Sequence, residues 1–427
     1  MWIEAAKSLA ELAEALNESA LAVEARAAAE RTRLAVEKIF WLSDRGFYGF
    51  ATTLAPEKPP QAEPGPHRER RQARQDELAK VRLVDEDTVL PAVPLWWGQL
   101  EDERAQSQID HLGSGALATD WGARILSDQS RLYDPLSYHY GSVWPLFTGW
   151  AAMGAYRYGR PHVGYQALMA NALLRSRSAL GYVTELLSGD FNAPFGRSSD
   201  HQVWSEAMVA APLLRGLLGI EASAGGRSLR FAPALPADWD RVAVRNVALG
   251  AVRYDLSLVR SPGRATISVA RRGDGPPVRL VVAPAFPLDA RLRSVRVDGR
   301  EQSFQAIRVG DVQRAEVAKD ALSARTELVF VYDEGTDVYA RAEASEPGAR
   351  SEGLRILRSR AEARVLHLVL EGRAGRSYAL RVRTPGGIAD GPGLTAKKVD
   401  ERDWELKVPF EGRGEGYVRR ELSLRLR

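Results

Sequence analysis

The chain has 427 residues, of which 45% are hydrophobic and 27% charged, with a net charge of +4. That length carries two or three domains of roughly 100–200 residues each. The arginines are spread along it without a dense basic stripe, so nucleic acid is not an expected partner. Cysteine is absent, which excludes disulfides, thiolate metal sites and a cysteine nucleophile.

No run of about 18 apolar residues occurs, so no membrane partner is expected. Residues 1–16 carry early acidic side chains and lack a basic segment ahead of an apolar one, which is not the pattern of a secretory signal. The compartment stays open, with cytoplasm favoured over periplasm. Residues 1–40 are rich in Ala, Leu and Glu. Leu9, Leu12, Leu16, Leu21, Val23, Ala27, Leu34 and Ile39 recur at helical spacing and predict two helices, broken near Asn17. A short strand or turn follows around Gly46. Residues 55–78 are Pro-rich and then charged, the composition of a solvated, flexible loop.

Helical patterning returns between Asp87 and Gly219. Pro91 and Pro94 precede Trp96 and Trp97. Residues 105–112, 144–158, 164–177 and 203–218 read as helices, the second with Pro145 in its first turn. About six helices in all are expected before residue 220. Period-two alternation takes over beyond Gly225 and Gly226, clearest at 242–244, 253–259, 265–269, 278–282, 365–370 and 378–382, with Gly- and Asp-rich turns between. Helices first and strands after argue for separate domains. The expected division is helical 1–222, a β-sandwich over 226–335 and a second sandwich-like unit over 336–427.

Three polar and aromatic clusters lie in the loops of the helical part. Tyr138, His139, Tyr140 and Gly141 precede Trp144 and Pro145. Glu185 sits in a turn-rich segment ending Ser188, Gly189, Asp190. Asp200, His201, Gln202 and Trp204 open the 203–218 helix. Glu185 reads either as a solvated loop carboxylate or as a general base that activates water at a glycosidic carbon. His139 is suited to hydrogen-bonding sugar hydroxyls, Trp144 and Tyr140 to packing or stacking, and Gly141 to close backbone approach by a ligand. For Asp200, capping of the following helix is a sufficient explanation. Asp120 and Trp121 form a further loop pair. Eight of ten tryptophans precede residue 205, which suits a sugar cleft and equally a large helical core. No metal motif, GxSxG or phosphate-binding glycine loop is present, and no cofactor is expected.

In order and spacing, YHYGSVWPL, TELLSGD, DHQVWS and LLRGLLGIEA with LRFAPALPADW resemble the C-terminal half of bacterial amylo-α-1,6-glucosidase or glycogen-debranching-like proteins, among the six-hairpin glycosidases. The resemblance covers about residues 1–260. It implies part of an (α/α)6 toroid followed by one or two antiparallel β-sandwich domains. It also implies an oligosaccharide or polysaccharide substrate and inverting hydrolysis of an α-glucosidic bond, with Glu185 as base. The resemblance places His139, Trp144, Gln202 and Trp204 on substrate-pocket loops and likens the segment from Asp120 and Trp121 to the loop before them; Trp96, Trp97, Tyr138, Asp200 and His201 are further candidate substrate contacts from their loop positions. The family's general acid lies upstream of the segment that residues 1–16 resemble. The expectation is therefore an N-terminally truncated form, inactive or barely active alone on glycosides, with a missing half or a partner chain to complete the ring, and Asp120, Asp190 and Glu206 as weak substitutes for the acid. A disaccharide phosphorylase on the same fold and a non-catalytic carbohydrate-binding protein remain alternatives.

Overall fold

The computed structural model describes residues 1–52, 83–223, 227–389 and 394–427. The expected loop over 55–78, and Gly225 and Gly226, lie outside the described residues. Seven α-helices are present among those described: α1 (Trp2–Ala15), α2 (Ser19–Ile39), α3 (Ala92–Trp96), α4 (Asp102–Gly113), α5 (Pro145–Arg157), α6 (Pro161–Ala172) and α7 (Val203–Ala211). The break between α1 and α2 falls at Asn17, whose φ of +64° turns the chain through the left-handed region that asparagine tolerates. Helix α7 gives way at Pro212, which has no N–H to donate. A wider, π-type turn then carries the chain to Leu217.

The α1–α2 pair buries its alanines and not its larger apolar side chains. Ala6, Ala10, Ala13, Ala22, Ala25 and Ala29 are buried, whereas Leu9, Leu12, Leu16, Leu21, Val23, Leu34 and Ile39 are exposed. Ala27 is also exposed. Small side chains let the two helices approach closely, and the leucines are left on the outer surface. Glu37 anchors α2: its carboxylate accepts from Tyr48 Oη, Glu101 N and Arg104 Nη1 at 2.7–2.8 Å.

Two six-stranded sheets follow over residues 220–333. One holds Arg241–Leu249, Val252–Ser261, Arg264–Arg272, Arg325–Asp333, Arg291–Val297 and Arg300–Gln302 as successive neighbours. Leu256, Ile267, Phe330, Phe231 and Leu280 fill the core between the sheets. Pairing is antiparallel except that Ser228–Phe231 runs parallel to Arg279–Val282, a departure from the purely antiparallel expectation. A four-stranded and a three-stranded sheet enclose the last core, with Leu366, Leu368 and Leu370 alternating inward along Val365–Arg373.

Two arginines join the helices to the sheets. Arg160, fully buried in the α5–α6 turn, pairs with Asp110 of α4 at 2.5 Å and with Asp311 at 3.1 Å, and donates to the Leu357 carbonyl. Arg355 pairs with Asp120 at 2.7 Å.

Candidate active site

Helix α5 starts where Trp144, in extended conformation, hands over to Pro145 at the first helical position. Proline's fixed φ suits that place and its missing N–H costs nothing there. The loop ahead is locked through one carbonyl. The oxygen of Tyr138 accepts from Ser142 Oγ at 2.8 Å and from Trp144 Nε1 at 3.2 Å. The Tyr138 ring meets Trp144 and His139 edge-on, with centroids 4.8 Å away in each case. Trp144 is buried, whereas His139 is exposed and Tyr138 is 45% exposed.

Backbone pairing brings the second cluster to this loop. Val143 and Leu187 exchange N–H···O bonds of 2.9 Å. The third cluster joins on the other side: Glu185 N donates to Ser199 O at 2.8 Å and Gln202 N to Val183 O at 3.1 Å. Ser198 Oγ accepts from Leu186 N and donates to Leu186 O. The three segments therefore lie side by side, and Glu185 is where they meet. Tyr138 Oη donates to Glu185 Oε1 at 2.6 Å, and Ser199 N reaches Oε2 at 3.4 Å. The bond to Glu185 is the main reason that the Tyr138 hydroxyl is pushed up to about 12.

Beyond Glu185, Tyr182 stacks on His201 with centroids 4.2 Å apart. His201 Nε2 lies 3.1 Å from the Glu206 carboxylate. Trp204 stands on the first turn of α7, 39% exposed. Gln202 is the residue before that turn, and no side chain caps the helix. Asp200 is exposed and, contrary to the capping explanation, forms no part of the cap.

Two glycines explain why the loops fit. A Cβ on Gly189 would fall 2.2 Å from the Gly141 carbonyl oxygen and 2.3 Å from Tyr133 Oη; one on Gly141 would fall 2.6 Å from the Asp134 carbonyl. Gly141 thus serves contact between backbones, where the sequence suggested contact with a ligand. Tyr133 Oη in turn donates to Asp190 at 2.8 Å.

Other expected site residues are placed elsewhere. Asp120 faces the last β unit, where it accepts from the N–H groups of Glu352 and Gly353 and from Arg355. Burial raises its carboxyl, but Arg355 and the two N–H groups outweigh that and hold it below the usual carboxylate range. Trp121 is 1% exposed, packs with Val143, Val183 and Leu187, and donates from Nε1 to Ser188 O at 2.9 Å. It therefore supports the Glu185 loop from beneath. Trp96 and Trp97 stack on each other 5.4 Å apart. The backbone N of Trp96 lies against Gly154, near the far end of α5, roughly 15 Å along the axis from Trp144. Each of these residues answers to a local packing need that their sequence neighbourhoods did not reveal. Conversely, Tyr182, Ser198, Ser199 and Tyr133 build the site although no motif marks them; their nearness to Glu185 and Asp200 was the one available signal. Among the described residues, no group of three or more His, Asp or Glu could hold a metal ion.

Residues 1–205 match the family model of the mannosylglycerate hydrolase MGH1-like glycoside hydrolase domain. No curated protein matches the chain. Among solved structures, a sialidase aligns at 10% identity and TM-score 0.47, over 60% of this chain and 23% of its own. The GH63 mannosylglycerate hydrolase from Thermus thermophilus, in complex with glucose, aligns at 18% identity and TM-score 0.36, over 50% of this chain and 45% of its own. Neutral trehalase Nth1 from Saccharomyces cerevisiae aligns at 17% identity and TM-score 0.31, over 45% and 30% respectively. The chain spans less than half the length of each, and at these scores the likenesses carry no argument beyond the family model.

Proposed function

We propose that residues 138–206 form one wall of a glycosidase site in which Glu185 is the base for inverting hydrolysis of an α-glycosidic bond. The observation that carries this is the Glu185 carboxylate, held by Tyr138 and Ser199 where the three segments meet, with His139, Tyr182, His201 and Trp204 exposed on those segments. An inverting base must be held firmly and yet leave room for a water between itself and the anomeric carbon. The exposed rings supply apolar faces for a sugar. The family description favours a small glycoside of the mannosylglycerate kind as substrate over a glycogen branch point, although both need the same base.

Inversion also needs an acid on the leaving oxygen, roughly 6.5–9.5 Å from the base. Glu206 is engaged by His201 and Asp190 by Tyr133, so we place the acid outside this wall. The uncovered leucines of α1 and α2, together with Val203 of α7 and Leu213 and Leu214 of the π-type turn after it, support the reading that further helices, on the same or another polypeptide, complete the ring and bring the acid.

Glycosyl fluorides test the base separately, because fluoride leaves without being protonated. Proton NMR of α-glucosyl and α-mannosyl fluoride hydrolysis is expected to show the β sugar as first product. An α product, or no acceleration over buffer with either fluoride, would overturn the assignment.

A further inference from the structure

A cleft of about 1010 Å³ opens between the helical part and the last β unit, and Glu185 is not among its lining residues. One wall comes from the end of α4 and the turn at 127–131, the other from strands Val365–Arg373 and Tyr417–Arg425. Its walls are held together. Gly115 N donates to Glu371 Oε2 at 2.7 Å, and a Cβ on Gly115 would fall 2.4 Å from the Tyr417 ring. Ser127 N donates to Asp87 O, and Asp128 N to Ala116 O, both at 3.0 Å.

Three side chains on these walls keep polar capacity that no other described residue uses. His111 is about one-third exposed, and its Nδ1 lies 2.9 Å from Asp87 Oδ2. A carboxylate on Nδ1 fixes the tautomer with the proton there, so Nε2 is left as an acceptor. Asp87 is itself 9% exposed and so holds the ring from a buried base. Asp128 has Arg124 as its ion-pair partner only at 3.6 Å, and burial raises its carboxyl. Arg373 uses Nε on the Ser351 carbonyl and lays its guanidinium over Tyr417, which leaves its terminal amines for a ligand. The other charges are mutually paired: Arg45 with Asp85, Arg131 with Glu86, Arg419 with Glu371.

We propose that this cleft is a second saccharide-binding site, in which His111, Asp128 and Arg373 take hydroxyls of one sugar unit. An imidazole acceptor, a carboxyl and a guanidinium donor lining one cleft match sugar hydroxyls, each of which both donates and accepts. Net charge in the cleft is small, which favours a neutral polyol over an anion or a metal ion. The site is independent of Glu185.

Saturation-transfer NMR and calorimetry with glucose, mannose and maltotetraose test it on the full chain. Binding of at least one probe is expected to survive Glu185→Gln combined with Trp204→Ala. It is expected to weaken about tenfold, the size of one charge-assisted hydrogen bond, in Arg373→Met and in His111→Gln. Arg373→Met guards against a folding defect at the more central His111. Unchanged binding in both variants, or no binding of any probe by the unaltered chain, would overturn the proposal. Glycosyl fluoride hydrolysis would be untouched by either result, so its failure remains separable from that of the Glu185 reading.

Discussion

Tyr138 and Glu185, 47 positions apart in the chain, are joined by a 2.6 Å hydrogen bond from phenol to carboxylate. The bond ties the loop before α5 to the segment that carries the proposed base. It also predicts a pH dependence. The Tyr138 hydroxyl is raised from 10.0 to about 12 in the folded chain, chiefly by this bond. A group raised on folding stabilises the fold fully below its unfolded value and loses that contribution as pH rises through the folded one. The stability gap between the unaltered chain and Tyr138→Phe should therefore be constant up to pH 10 and close between pH 10 and 12. Denaturant unfolding across that range checks it, and a gap that stays constant to pH 12 would contradict the account. Because Tyr138 is half exposed, the gap itself is small.

Gly189→Ala should damage the site without touching Glu185. The new methyl would meet the Gly141 carbonyl and Tyr133 Oη at 2.2–2.3 Å, and a backbone carbonyl cannot swing aside as a flexible side chain can. Overpacking of this kind costs about 1–3 kcal/mol. The Val143–Leu187 pairing must shift to relieve it, so fluoride hydrolysis should fall more steeply than stability. Equal rates for Gly189→Ala and the unaltered chain would show that the two loops do not need to touch.

Arg160→Met should be among the most destabilising single changes in the chain. It would leave Asp311, 2% exposed at its side chain, with Arg360 alone and Asp110, 17% exposed, with Arg358 alone. Removing one partner of a buried ion pair costs about 3–5 kcal/mol, and the two remaining arginines place this loss at the lower end of that range. The loss should show as a lower midpoint in urea, and Arg160→Lys should recover little, because a single ammonium cannot reach Asp110, Asp311 and the Leu357 carbonyl together.

The outer face of α1 predicts association. Leu12 and Leu16 are 63% and 73% exposed. Their joint replacement by Glu should leave stability within about 0.5 kcal/mol while reducing self-association measured by sedimentation. Loss of folding in the double variant would mean that these leucines are covered within the chain itself.

The helical and β regions were readable because period 3.6 and period 2 are strong local signals. The break at Asn17, Pro145 at the start of α5 and the alternation of Leu366, Leu368 and Leu370 all follow from them. What stayed hidden depends on which face meets which neighbour. A stripe containing Leu9, Leu12 and Leu16 looks like a core face, but the closer approach allowed by Ala6, Ala10 and Ala13 decides the packing. Asp120 looks like a free loop carboxylate until Arg355, 235 positions later, arrives beside it. Trp96 and Trp144 share one composition signal yet lie toward opposite ends of α5. Within the candidate site, the three motifs were visible as strings, whereas Ser198, Ser199 and Tyr182 became relevant only through the backbone pairing of 183–187 with 198–202.

The most direct test of the central claim is the rate of fluoride release from α-mannosyl and α-glucosyl fluoride by the unaltered chain and by Glu185→Gln. Loss of a general base is worth about 10²–10⁴ in rate, and the amide keeps the shape of the carboxylate. The account predicts a drop of that size with unchanged stability, whereas equal rates in the two proteins would contradict Glu185 as the base.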